Sequence, residues 1–100
     1  MIDLNREDAK ILKQLLQQHV PDCEVRAFGS RVTGKARRYS DLDLVLTPSS
    51  GQPLPLEQLS GLQEALACSD ISIIIDLHDW FAIPDHFKNT INTQSVPLTL

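Results

Sequence analysis

The sequence predicts an α/β domain, a small mixed β-sheet flanked by helices, and three observations lead there. Apolar residues recur at helical spacing in residues 5–19, polar and apolar side chains alternate in Glu24 to Phe28, and Ile71 to Leu77 forms a β-branched, almost continuous apolar run. Helical and strand patterns succeed one another as helix, strand, loop, strand, helix, strand, helix, without repeats or low-complexity segments. At 100 residues the chain is expected to form one domain, 1–100, around one core.

The elements follow in order. Asn5 is suited to cap the first helix, whose stripe is Ile11, Leu12, Leu15, Leu16 and Val20, with Asp8 in its first turn and Pro21 stopping it. The strand at 24–28 ends at Gly29. Ser30 to Arg38 is too polar for a core element, although one helical turn can begin at Ser30. A second strand is expected over Asp41 to Leu46. The turn-rich stretch Thr47 to Pro55 leads to a helix that opens at Pro55 and carries Leu56, Leu59, Leu62 and Leu66. The third strand is placed at Ile71 to Leu77, with Asp76 as a polar guest near its carboxyl end. Pro84 and Asp85 open a last helix with Phe87 and Ile91 facing inward, and Val96 to Leu100 reads as a short edge strand or a fraying tail.

The formal charge of −4 argues against general nucleic-acid binding, which needs a basic surface. The charge is uneven, however. Four of the nine Lys and Arg, namely Arg31, Lys35, Arg37 and Arg38, share one loop, so a local phosphate site remains compatible with an acidic whole. Cys23 and Cys68 lack zinc-ligand spacing and read as small hydrophobes or free thiols. No secretory pattern opens the chain and no apolar run reaches membrane-spanning length, so a soluble, cytoplasmic protein with no membrane association is expected.

The chemistry concentrates between residues 29 and 46. Side chains on a strand repeat every two residues, so Asp41 and Asp43 are expected on one face with Cα atoms roughly 6–7 Å apart, and Leu42, Leu44 and Leu46 on the other. Two such carboxylates raise each other's proton affinity unless a cation lies between them. Oxygen-rich sites of this kind suit Mg²⁺, and nucleotidyl-transfer sites often hold two ions roughly 3.5–4 Å apart. Gly29 leaves room for a phosphate, Ser30 offers a hydroxyl, and Gly34 lets the loop turn back. Arg31, Lys35, Arg37 or Arg38 would neutralise a triphosphate. Asp76 is the candidate third carboxylate, since an isolated charge in an apolar strand is costly. The third strand is therefore expected beside the second, with Asp76 holding the activating metal and accepting or orienting the proton of an attacking hydroxyl.

Gly29-Ser30-Arg31, Gly34, Ala36-Arg37 and Ser40-Asp41-Leu42-Asp43-Leu44 resemble the signature of the nucleotidyltransferase superfamily related to DNA polymerase beta. The spacing most resembles its minimal branch, and the segment Ile75 to Trp80 is similar to the one in which that branch carries its third acid, here Asp76. The resemblance implies the nucleotidyltransferase fold and Mg²⁺-dependent transfer of a nucleoside monophosphate, commonly AMP from ATP, to an acceptor hydroxyl with release of pyrophosphate. It implies Asp41, Asp43 and Asp76 as catalytic and metal-binding residues, and Gly29, Ser30, Arg31 and Ser40 as nucleotide- and phosphate-binding ones. It further implies partnership with a helical HEPN-type protein, in which the minimal protein is an antitoxin that adenylylates a ribonuclease toxin. Two alternatives stay open: an antitoxin or assembly subunit that works by binding alone, and a small-molecule transferase of aminoglycoside-modifying type, for which a homodimer would supply the acceptor pocket. His19, His78 and His86 are dispersed along the chain and read as surface or helix-end residues rather than ligands. Asp79 lies off the face of Asp76, and Trp80 reads as packing or a partner contact.

Overall fold

Helix α1 runs from Arg6 to His19 and begins where expected, with the Asn5 side chain accepting a hydrogen bond of 2.8 Å from the Asp8 amide. In the computed structural model, which describes residue 2, residues 4–37 and residues 40–98, seven further elements follow. These are β1 (Cys23–Phe28), α2 (Ser30–Thr33), β2 (Leu42–Pro48), α3 (Leu56–Ala67), β3 (Ile75–Asp79), α4 (Asp85–Gln94) and β4 (Val96–Pro97). The sheet order is β3-β2-β1-β4. β1 is antiparallel to β2 and β4, while β2 and β3 are parallel and joined through α3, which supplies the long crossover a parallel pair requires. The sheet is mixed, as the sequence predicts. Val96 and Pro97 form an edge strand; the rest of the expected tail, Thr99 and Leu100, lies outside the described residues.

Strand periodicity divides the side chains between two faces. Ala27, Leu42, Leu44, Leu46 and Leu77 point toward α1 and α3, where they are buried with Leu12, Leu16, Leu62 and Leu66. Phe28 and Val45 point the other way and pack with Ile91 of α4, flanked by Phe87, Ile83 and Trp80. The second layer is thin. It covers only part of its face and leaves the start of β2 and β3 accessible.

The third strand starts four residues later than its apolar run suggests. Leu42 is the register partner of Ile75, so residues before Ile75 extend past the beginning of β2, and the pairing ends with the Leu42 amide donating to the Ile74 carbonyl at 2.9 Å. Ser72, within this stretch, is held instead by α1, because the buried carboxylate of Asp8 accepts from both its amide and its hydroxyl. Asp76 is consequently the second residue of its strand, not one near its carboxyl end. Among the described residues no helix is long and apolar enough to cross a membrane.

Candidate active site

β1 ends because Gly29 adopts φ +85° and ψ −160°, a conformation open only to glycine, and turns the chain into the single turn of α2. A second constraint acts at this position. A Cβ added to Gly29 would stand 2.5 Å from Oδ2 of Asp43, so glycine is what allows the backbone to lie against that carboxylate. Gly34, left-handed at φ +81°, caps α2 by donating its amide to the Ser30 carbonyl.

Phe28 opposes Asp43 across the antiparallel pair, and Asp43 opposes Asp76 across the parallel one. The two acids therefore share a face and a row, as the expected adjacency of the second and third strands requires. Their ligand atoms and an imidazole nitrogen of His78 all lie within 4.8 Å of one another. Asp43 is partly desolvated, with 28% of its side chain exposed, whereas Asp76 is more open at 52%. Burial is the main cause that raises the Asp43 pKa above the ordinary carboxylate value; Asp76 and then Asp41 push it further up, and His78 opposes them.

Asp41 is placed differently from expectation. It is exposed and one residue ahead of β2, because β1 already ends opposite Asp43 and leaves Asp41 no antiparallel partner. Its charge reaches Asp43, yet among the described residues the tight group is Asp43, Asp76 and His78. His78 is the residue that sequence reasoning missed. It follows Asp76 by two on the same strand, so the periodicity that aligned the aspartates was the signal that could have found it. Its ring lies among Phe28, with centroids 5.3 Å apart, and Phe87, at 5.5 Å.

Arg31 is 7% exposed and points into the protein. Its Nε donates to the Ser40 carbonyl at 2.8 Å and its Nη2 to the Arg37 carbonyl at 3.4 Å, so the guanidinium holds the loop that delivers Asp41. The Ser40 hydroxyl accepts the Arg37 amide at 2.8 Å and closes the same loop. Lys35 and Arg37 are exposed beside it, and Arg38 lies outside the described residues. Asp79 is buried and structural, accepting from the amides of Leu54 and Phe81 at 2.7 and 3.0 Å. Trp80 packs against the α4 layer with the Arg26 guanidinium 4.7 Å and the Lys88 ammonium 5.3 Å from its ring centre.

The family model for the central palm domain of mitochondrial-like poly(A) RNA polymerase matches residues 2–98. A Haemophilus influenzae protein named as a probable protein adenylyltransferase, MntA, is 44% identical over 90 residues, covering 90% of this chain and 77% of the relative. Among solved structures, a toxin–antitoxin complex with AMP-PNP superposes with a TM-score of 0.74 at 24% identity, covering 91% of this chain and 72% of the other. The complex of a tri-AMPylated Shewanella oneidensis HEPN toxin with its MNT antitoxin superposes with a TM-score of 0.67 at 21% identity, covering 94% and 71%. At these identities the two structures establish the fold. With the family model spanning nearly all of its length and a relative this similar, the chain belongs to the polymerase-beta-like nucleotidyltransferases, as a minimal member carrying the palm domain.

Proposed function

We propose that this protein transfers AMP from ATP to a hydroxyl of a helical HEPN-type partner in the cytoplasm, and thereby acts as the antitoxin of a toxin–antitoxin pair. The observation that carries the proposal is the pairing of Asp43 with Asp76 directly against the backbone of Gly29. The adenylyltransferase name of the Haemophilus relative and the AMPylated toxin in the Shewanella complex support the choice of nucleotide and acceptor.

The donor set fits Mg²⁺. Asp43 and Asp76 present carboxylate oxygens within one ion's reach, and Asp43, whose pKa is raised first by burial and then by Asp76, is a carboxylate whose charge a cation would compensate. Asp43 and Asp76 would hold the metal, with Asp41 reaching in from the loop. When bound, it supplies positive charge against the triphosphate and the charge that develops at the α-phosphorus. Gly29 and Ser30 would receive the phosphates where the strand turns into α2, and Lys35 and Arg37 lie at the exposed edge of the same loop. In the reaction the acceptor oxygen forms a bond to the α-phosphorus, the bond from that phosphorus to the pyrophosphate oxygen breaks, and the hydroxyl proton passes to Asp76. The exposure of Asp76 allows a protein substrate to approach it.

The test is incubation of the chain with α-labelled ATP, Mg²⁺ and a purified HEPN-type toxin. Label on the toxin that disappears with Asp43→Asn is expected. Equal labelling by that variant, or a stable complex that never acquires label, would overturn the proposal in favour of inhibition by binding alone.

A further inference from the structure

We propose that His78 is a metal ligand, its Nε2 completing with the carboxylates of Asp43 and Asp76 a mixed nitrogen–oxygen site that takes Mn²⁺ in preference to Mg²⁺. This rests on the nucleotidyltransferase reading of the same site and assigns it a donor that the three-acid pattern does not contain.

The distances support coordination over a simple ion pair. Nε2 lies 3.4 Å from Oδ2 of Asp76 and 3.9 Å from Oδ1 of Asp43. A charge-assisted hydrogen bond would draw it to about 2.7–2.9 Å from one of them. In an octahedral shell with metal–ligand bonds of about 2.1 Å, adjacent donors stand about 3.0 Å apart and opposite ones about 4.2 Å. Both separations lie within the about 4.2 Å that two donors on one ion can span and exceed the adjacent spacing, so the side chains close by a few tenths of an ångström or more when an ion binds. The imidazole nitrogen thus faces two carboxylates at ligand-to-ligand spacing and closes on neither.

The ring is also held there. Asp76 and His78 share the face of β3, while Asp43 and Val45 are their partners on β2. Phe28 and Phe87 contact the imidazole with centroids 5.3 and 5.5 Å away and tilts of 54° and 69°, and they contact each other at 5.5 Å. Two aromatic rings from different elements restrict the imidazole and leave Nε2 directed at the acids. An all-oxygen site suits Mg²⁺; one imidazole shifts the preference toward first-row transition ions, of which Mn²⁺ tolerates the same oxygen-rich octahedral setting.

The experiment uses Mn²⁺ as its probe on the full chain. Pulsed electron paramagnetic resonance should detect ¹⁴N coupled to bound Mn²⁺, and the coupling should vanish in His78→Gln. Calorimetric titration should show Mn²⁺ bound at least about tenfold more tightly than Mg²⁺, a ratio that falls toward unity in the variant while its Mg²⁺ affinity stays within about threefold. The coupling is read on the unaltered chain, so its presence does not depend on how the variant folds. Mn²⁺ bound in an Asp43-dependent way without nitrogen coupling would overturn the role of His78 and leave the carboxylate site standing. Coupling that persists in His78→Gln would assign the nitrogen to another residue and overturn it equally. Binding that is absent, or unchanged in Asp43→Asn, would remove the metal site itself and with it both proposals.

Discussion

Asp43 and Asp76 are register partners across the parallel β2–β3 pair, so two carboxylates stand side by side on a partly desolvated face. Antiparallel pairing on the other side of β2 brings in Phe28, and Gly29 follows it against the Asp43 carboxylate. Three strands thus converge on one acid, and stability and chemistry meet at it.

The raised pKa of Asp43 means that the folded chain holds a proton there more readily than the unfolded chain does. The stability this group contributes is complete below the ordinary aspartate pKa and is lost as pH rises through the raised folded value. Without metal at neutral pH, the ionised Asp43 carboxylate therefore opposes folding. Asp43→Asn should raise the Tm at pH 7.5 by roughly 3 °C, with the gain shrinking as pH falls through the carboxylate range. Mg²⁺ should raise the Tm of the unaltered chain and leave that of the variant nearly unchanged; calorimetry across pH with and without the ion checks both.

Gly29→Ala meets two obstacles, a φ of +85° and a Cβ 2.5 Å from Asp43 Oδ2. The backbone strain alone costs about 1–3 kcal/mol, a fall in Tm of roughly 5–15 °C for a domain of this size. AMP transfer should fall further than stability explains, by about 100-fold or more at a temperature where the variant is folded, because Asp43 must move. Thermal melts paired with initial rates separate the two effects.

Arg31 holds the carbonyls of Ser40 and Arg37 in a fork that lysine cannot reproduce. Arg31→Lys and Arg31→Met should both destabilise the protein by about 1–3 kcal/mol, and both should lower kcat more than they raise KM for ATP. A direct phosphate contact would give the opposite pattern, with lysine retaining most of the function and KM carrying the loss. Steady-state kinetics on the two variants decide between these roles.

Asp8 joins the first turn of α1 to the segment that leads into β3 through Ser72. Asp8→Ala leaves the Ser72 amide without its acceptor and should cost about 2–3 kcal/mol. Hydrogen exchange should then quicken first at Ile71 to Ile74, ahead of the β2–β3 ladder.

The elements and much of the site were legible in the sequence because they rest on local rules. The leucine stripe of α1, the alternation in β1 and the capping role of Asn5 depend on neighbours a few residues away. The adjacency of the second and third strands was legible for a different reason: a lone acid in an apolar strand requires compensation, and that requirement pointed Asp76 at Asp43.

What the chain's order alone determined was thus the succession of strands and helices, which face of each is apolar, and that Asp76 belongs with the aspartates of the second strand. Only the tertiary structure decided that Asp41 stands outside the ladder, that His78 joins the acids, that Arg31 holds a loop, and that Ser72 binds α1 ahead of the third strand. Each of these depends on register, on where a partner strand begins or ends, or on a contact between distant residues such as Asp8 and Ser72. Periodicity assigns a side chain to a face; the neighbour it meets there is set by how separate segments align.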